Sequence, residues 1–204
     1  VSVINTATNT VTTTIAVGQN ASGVALNPAG TRAYVTSGGN TVSVINTATN
    51  TVTATVNVGL APVAVAVTPD GSRAYVVSGT VNTGSVSVIN TATNTVVATV
   101  AVGNGAFGVA IKPDGTRAYV TSGMSSTVAV INTATNTIVA TITAGTELSG
   151  IAVSPDGTRA YVADVGNDRV LVINTATDTV TGPAIIVGTA PTGVAFSADG
   201  TRAY

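Results

Sequence analysis

The chain has 204 residues, of which 45% are hydrophobic and 7% are charged, with a net charge of −1 and neither Cys nor His. The lack of a basic field argues against nucleic acid as a partner, and the lack of Cys and His removes disulfides, thiolate nucleophiles and imidazole chemistry. Apolar residues occur only in short runs, well below the ~18 that a membrane-spanning helix needs, so no membrane insertion is expected.

The sequence repeats itself five times. The isoleucines that open the segment INTATNT, or INTATDT in the last copy, are separated by 41, 44, 42 and 42 residues, and the motif RAY recurs at a similar spacing. Self-similarity at a fixed period is the mark of a repeat architecture. Residues 1–204 are therefore predicted to form a single domain of five repeats of about 42 residues.

In chain order, each complete unit predicts four short strands, which we name A to D. The chain begins in strand C (VSVIN, 1–5) and continues through a turn into strand D (TVTTTIAV, 10–17). The first strand A is GVAL (23–26) and the first strand B is RAYVTS (32–37), and the order then repeats until the chain ends in strand B at RAY (202–204). Val, Ile, Thr and Tyr dominate these segments, and no helical periodicity is present.

Two kinds of turn recur. In four units strands A and B are joined by an Asp-Gly sequence, a hairpin signal, whereas the first unit has NPAG (27–30) without the Asp. We interpret Asp70, Asp114, Asp156 and Asp199 as turn residues that bond their own backbone, rather than as a ring of catalytic acids. The INTATNT segment is interpreted as the C–D turn, with its Asn bonding the backbone. The RAY tyrosines are expected to pack between units with a solvated hydroxyl.

A period of 40–45 residues with four strands predicts a blade of an all-β propeller. Strands B and C are nearly all apolar or small, as expected when neighbouring blades cover both faces. Strand D alternates, which is typical of an outer edge, while Gly and Ala in strand A suit the crowded axis. The preferred prediction is five four-stranded antiparallel blades closed by two strands from each end of the chain. The alternative is a fragment of a larger propeller of about seven blades.

Residues 108–145, GVAIKPDGTRAYVTSGMSSTVAVINTATNTIVATITAG, resemble the YVTN repeat of propellers in archaeal and bacterial surface and secreted proteins. The resemblance covers every unit. The family's Asn after YVT is replaced by Ser37, Ser78, Ser122 and Asp164, and its Asp after VI is Asn in all five units. The resemblance implies an extracellular or cell-surface location and a scaffold or recognition role, and it brings no catalytic residues.

The D–A and B–C loops are expected to share one face, where the sequence varies most. Phe107 is the best single anchor for a ligand there, although the preferred interpretation is that it plugs the channel as core packing. Other apolar or charged exceptions on this face are expected to be exposed. The full set of candidate contacts is Ser22, Leu60, Val63, Phe107, Met124, Glu147, Leu148, Ser149, Asp164, Arg169 and Thr192.

Asp164 and Asp168, four residues apart in a Gly-containing loop, are weak candidates for Ca²⁺ ligands. The alternative is a solvated loop in which Asp pairs with Arg169. No cofactor is expected.

These observations predict a non-enzymatic propeller scaffold that presents a face to a protein or glycan partner, and a monomer if the five-bladed ring closes. One alternative is a glycan- or small-ligand-binding propeller with a site in each blade. An enzyme of the propeller lactonase or glycosidase kind is the third. Because the loops vary while the turns repeat, a single partner is favoured over one site per blade.

Overall fold

A computed structural model describes residues 1–204 as an all-β chain of 19 strands, with one turn of 3-10 helix at Val165–Asn167. That single turn is too short to cross a membrane, and the chain has no other helix. The strands form antiparallel sheets arranged as successive blades, which confirms the predicted architecture.

The strands follow the predicted A-B-C-D order in every complete blade. A half-blade contains β1 (Ser2–Asn5) and β2 (Thr10–Thr14). Blade 1 contains β3 (Val24–Leu26), β4 (Arg32–Ser37), β5 (Thr41–Asn46) and β6 (Thr51–Asn57). Blade 2 contains β7 (Pro62–Val67), β8 (Arg73–Thr80), β9 (Thr83–Asn90) and β10 (Thr95–Ala101). Blade 3 contains β11 (Ala106–Ile111), β12 (Arg117–Ser122), β13 (Thr127–Asn132) and β14 (Thr137–Thr143).

Blade 4 differs in its outer strand. It contains β15 (Leu148–Val153), β16 (Arg159–Asp164), β17 (Arg169–Asn174), β18 (Thr179–Val180) and β19 (Ile185–Ile186). Both β18 and β19 pair with β17, so together they replace one strand D. The break lies at Gly182, which has a φ of 68°, and Pro183, which has no N–H to donate to the ladder.

Burial follows the predicted roles of the strands. The B and C strands are buried along most of their length, because a blade covers each face. The outer strands β6, β10 and β14 share one pattern in which most residues are exposed and one residue near the end is buried. The outer-edge interpretation of strand D is therefore confirmed.

The hydrophobic core lies between blades rather than within one. Tyr75 and Val77 of blade 2 pack with Ala118, Val120 and Ile131 of blade 3, all of them fully buried or nearly so. An equivalent cluster joins blades 3 and 4 around Tyr119. Each blade therefore depends on its neighbour for burial, as expected of a repeat protein.

Close approach at the inner strands explains the Gly in strand A. A Cβ at Gly108 would lie 2.8 Å from the carbonyl oxygen of Ser149 in the next inner strand. Thr121, the threonine of YVT in blade 3, fastens this contact, because its Oγ1 accepts from Gly108 N at 2.8 Å and donates to Ser149 O at 2.5 Å. The small residues near the axis are thus required by backbone packing.

The predicted five-bladed closure does not form. Strand β1 pairs only with β2, and the last residues form a separate hairpin through the Phe196–Ala203 bridge. Ile4 and Tyr204, which would be covered in a shared blade, are 58% and 76% exposed. The alternative, part of a larger propeller, describes the structure.

Candidate functional site

The D–A and B–C loops meet on one side of the arc, here called the loop face. Side chains of the B–C segments accept hydrogen bonds from amides of the D–A loops. The pairs are Ala61 N with Asn40 Oδ1 at 3.1 Å, Asn104 N with Ser125 Oγ at 2.7 Å, and Thr146 N with Asp164 Oδ1 at 2.8 Å. The shared face predicted from the sequence is present, and its loops are bound to one another.

The structure exposes most of the candidate contacts. Val63 and Arg169 are half-buried. The exposed members are Ser22, Leu60, Phe107, Met124, Glu147 and Thr192. Phe107 is about half exposed, so the preferred interpretation of it as a buried core plug is wrong. Whether these residues bind anything stays a prediction.

Leu148 and Ser149 correct the sequence interpretation, since both are buried. Strand β15 already begins at Leu148, which pairs with Asp164 and is only 2% exposed in the core between blades 3 and 4. Ser149 donates from its hydroxyl to Thr192 O at 3.0 Å. The D–A loop ends at Glu147, two residues earlier than expected, so the prediction that Leu148 is an exposed contact is wrong.

Asp164 is fully buried and acts as a clamp for its loop. Its carboxylate accepts from Thr146 N, from Asn167 Nδ2 at 3.0 and 3.1 Å, and from Arg169 Nε at 2.7 Å. Burial alone raises the pKa of this carboxyl, but these donors outweigh it and the net pKa is lowered. Asp168 serves another neighbour, accepting from Ala190 N at 2.8 Å. The carboxylate oxygens proposed as Ca²⁺ ligands therefore already accept hydrogen bonds within the loops. No group of three potential metal ligands forms.

One exposed apolar residue on the loop face escaped the sequence interpretation. Val81 lies at the tip of the β8–β9 hairpin, whose strands have eight residues each, against six in the equivalent strands of blades 1 and 3. Its side chain is 64% exposed. The signal was present in the sequence, because the spacing from Ile45 to Ile89 is the longest of the series.

The opposite side, the turn face, carries the repeated motifs, and each is satisfied locally. Asp70 accepts from Ser72 N at 2.9 Å and from the hydroxyls of Thr68 and Ser72. The Thr68 hydroxyl is the main cause that lowers the Asp70 pKa to about 2, followed by the amide and hydroxyl of Ser72. Asp114, Asp156 and Asp199 bond their own turns in the same way. The turn interpretation of these carboxylates is confirmed.

INTATNT is also a turn, with an additional role between blades. Asn46 Oδ1 accepts from Ala48 N at 2.9 Å and Thr49 N at 3.2 Å, as predicted for an Asx turn, and Asn50 has a φ of 55°. In two copies the sixth residue of the segment also accepts a hydrogen bond from the preceding blade's tyrosine. These contacts are Tyr75 OH to Asn136 Oδ1 at 2.8 Å and Tyr119 OH to Asp178 Oδ1 at 2.7 Å. The prediction of solvated tyrosine hydroxyls is therefore wrong for these two blades.

The largest cavity, about 700 Å³, opens beside blade 4 on the turn face. Tyr161, Asn174 and Pro183 line part of it. Tyr161 is the RAY tyrosine of its blade, so the cavity occupies the position in which a C–D turn sits against Tyr75 and Tyr119. We interpret it as an unfilled contact surface between blades.

Fold and loop face together define a β-propeller with four complete blades. The family model "Lactonase, 7-bladed beta-propeller" matches residues 90–204, more than half of the chain. The chain therefore belongs to this family of seven-bladed propellers, which agrees with the larger-ring alternative.

Solved structures show the same fold. Hydrazine synthase of Kuenenia stuttgartiensis superposes with a TM-score of 0.74 at 18% identity, covering 98% of this chain and 84% of that one. A functionally unknown protein from Desulfotomaculum acetoxidans DSM 771 superposes with a TM-score of 0.82 at 22% identity. That match covers 92% of this chain but 63% of the other, less than two thirds of its length. The search of curated proteins gave no match.

Proposed function

We propose that the chain is a non-enzymatic propeller of a surface or secreted protein and that its loop face recognises a partner. The observation that carries this proposal is the contrast between the two faces. On the turn face of blades 2 to 4 the same hairpin residues recur and bond to one another, whereas the loop face exposes different large side chains in different blades. Exposed apolar side chains on varied loops of a rigid scaffold are typical of recognition surfaces.

The YVTN type of repeat is part of this proposal. It is supported by the combination of PDGTRAYVT and VINTATNT in the sequence, and by the hydrogen bonds that both segments form. The Thr of YVT donates a hydrogen bond to the inner strand of the next blade, and the last Asx of the turn accepts one from the tyrosine of the preceding blade. A surface or secreted location follows from the resemblance to that family.

A lactone hydrolase is the second candidate, because the family to which the chain belongs is named for lactonase activity. Hydrolysis of a lactone needs a general base or an activated water. In this chain the carboxylates of Asp70, Asp114, Asp156 and Asp199 are held in turns, and Asp164 is buried.

Two measurements test the proposal. Purified protein is assayed for hydrolysis of simple γ- and δ-lactones, where we expect no rate above the buffer blank. Hydrogen exchange is then measured with neutral glycans and with library-selected peptides, and protection is expected in the D–A and B–C loops. Lactone turnover, or protection confined to the turn face, would overturn the proposed function.

A further inference from the structure

We propose that Leu60, Val81, Phe107 and Met124 form one docking platform for an uncharged, apolar peptide segment of a protein partner. This inference rests on the proposed recognition role of the loop face and names the class of partner. The four side chains are 61%, 64%, 48% and 62% exposed, respectively. Large exposed apolar side chains grouped on one face mark interaction sites in soluble proteins.

Backbone contacts bring these residues together across blades 1 to 3. The β8–β9 hairpin, which carries Val81, stands between two D–A loops. On one side, Gly79 N donates to Ala61 O at 3.3 Å, directly after Leu60. On the other side, Gly105 N donates to Thr80 O at 2.8 Å, two residues before Phe107. Leu60 and Phe107 therefore flank the hairpin tip.

Glycines make these close approaches possible. A Cβ at Gly79 would collide with the carbonyl oxygen of Ala106, and one at Gly84 with that of Gly103. A Cβ at Gly105, which has a φ of 65°, would lie 2.6 Å from Cγ of Met124. Met124 and the hairpin carbonyls of Thr80 and Thr83 thus meet at Gly105, two residues before Phe107. Pre-organised contacts of this kind reduce the entropy lost on binding.

Charge selects the class of partner. The loop face of blades 1 to 3 has no charged side chain, since its charged residues all lie in blade 4 or its D–A loop. Those residues are Glu147, Asp164, Asp168 and Arg169. An uncharged segment loses no favourable ionic hydration on docking here, whereas a charged one would be desolvated without a counter-charge. Three of the four platform side chains are aliphatic or thioether, which favours apolar peptide side chains over the polar faces of a glycan.

The experiment uses random linear peptides displayed on phage and selected on the immobilised chain. Enriched peptides are synthesised, and their Kd values are measured by fluorescence polarisation. The test variants are Val81→Ser and Phe107→Ser, separately and together. The matched controls are Val97→Ser and Val139→Ser, which remove valines from outer strands that are each 47% exposed, close to the 48% of Phe107. Urea unfolding of each variant verifies that it is folded.

We expect uncharged, apolar peptides whose affinity falls at least about tenfold in the double variant and stays within about twofold in the controls. Charged peptides that depend on Glu147 or Arg169 would overturn the platform but leave the recognition role intact. Binding of neutral glycans or of phosphatidylcholine vesicles that depends on Phe107 would likewise overturn the peptide platform and leave the recognition role intact. Absence of any binding on the loop face would overturn both the peptide platform and the proposed recognition role.

Discussion

Single residues at one repeated position show how context decides the effect of a buried polar group. Ser37, Ser78 and Ser122 follow YVT in blades 1 to 3, and their buried hydroxyls have no hydrogen-bond partner. At the same position in blade 4, Asp164 is equally buried but accepts hydrogen bonds from three residues. Because Gly18, Gly59 and Gly103 pack directly over the serines, there is little space for another partner.

Truncation at this position should therefore have opposite effects in two blades. We expect Ser78→Ala to leave the free energy of unfolding unchanged or to raise it by up to about 1 kcal/mol, because an unsatisfied hydroxyl is removed. Asp164→Ala should lower it by about 2–4 kcal/mol, since Arg169 and the Thr146 N–H lose their acceptor. Urea unfolding of both variants against wild type measures the difference. Equal effects would show that the Ser78 hydroxyl has a partner in solution.

The hairpin aspartates should make stability depend on acid pH. The folded pKa of Asp70 is about 2, below the ordinary value of 3.8, so the ionised form stabilises the fold above that value. This stabilisation is lost as pH falls through about 2. Blade 1 supplies a natural control, because Ala29 stands at the equivalent position and Asn27 Oδ1 accepts from Arg32 N instead. We expect Asp70→Ala to fold, to lose about 1 kcal/mol at neutral pH, and to show a smaller fall in urea midpoint between pH 5 and 2. An unchanged pH profile would contradict the assignment.

At the scale of the blade, a hydrogen bond between the tyrosine of RAY and the last residue of the next blade's C–D turn links neighbouring blades. Burial first, and then the hydrogen bond to Asp178, raise the pKa of the Tyr119 hydroxyl. In blade 1 the equivalent hydrogen bond is absent, because Tyr34 OH and Asn94 Oδ1 are both buried without a partner. There, Arg32 Nη1 donates to Thr91 O at 2.5 Å, within the turn that Tyr34 would otherwise reach.

Removal of the hydroxyl should distinguish these two blades. We expect Tyr119→Phe to lower the free energy of unfolding by about 1–2 kcal/mol, because the hydrogen bond to a carboxylate is lost. Tyr34→Phe should change it by less than about 0.5 kcal/mol. Chemical denaturation at neutral pH provides the comparison. A large loss in Tyr34→Phe would mean that its hydroxyl is bonded, for instance through water.

Alkaline pH should weaken the same contacts between blades. Burial raises the pKa of Tyr75 to about 12, so its neutral form is favoured in the folded chain. Stability from this group is complete below pH 10 and is lost as pH rises through about 12. The midpoint of urea unfolding should therefore fall above pH 10, and it should fall less in Tyr75→Phe. Equal slopes in both proteins would argue against the shift.

The sequence predicted the elements well where each repeat decides its own structure. Strand order, the hairpin aspartates and the Asx turn of INTATNT all depend on contacts within one unit, and all are confirmed. Features that depend on a neighbouring blade were missed. Leu148 is buried by blade 3, the Tyr119 hydroxyl finds Asp178 a blade away, and Val81 projects because of the hairpin between two loops.

Across the whole molecule, charge is separated between the two faces. The Asp and Arg residues of the hairpins lie on the turn face, and the loop face of three blades is uncharged. Closure of the ring also depends on the whole molecule, because the rotation between successive blades accumulates around the axis. No local signal in a 42-residue period distinguishes five blades from seven, which explains why the preferred closure was wrong.

Stability should consequently be graded along the arc. Interior blades are packed on both faces, whereas β1 and β2 are largely exposed and pair only with each other, and residues 194–204 hold one isolated bridge. In a one-dimensional array each unit gains stability from its neighbours, so the units with fewest contacts open first. We expect amides of β1, β2 and residues 194–204 to exchange at least about tenfold faster than those of β12 and β13. Hydrogen-exchange mass spectrometry at neutral pH measures this gradient, with the exposed but blade-supported strand β14 as the internal control. If the half-blade and the last hairpin were as protected as β12, they would have to pair with each other, and the five-bladed ring would close after all.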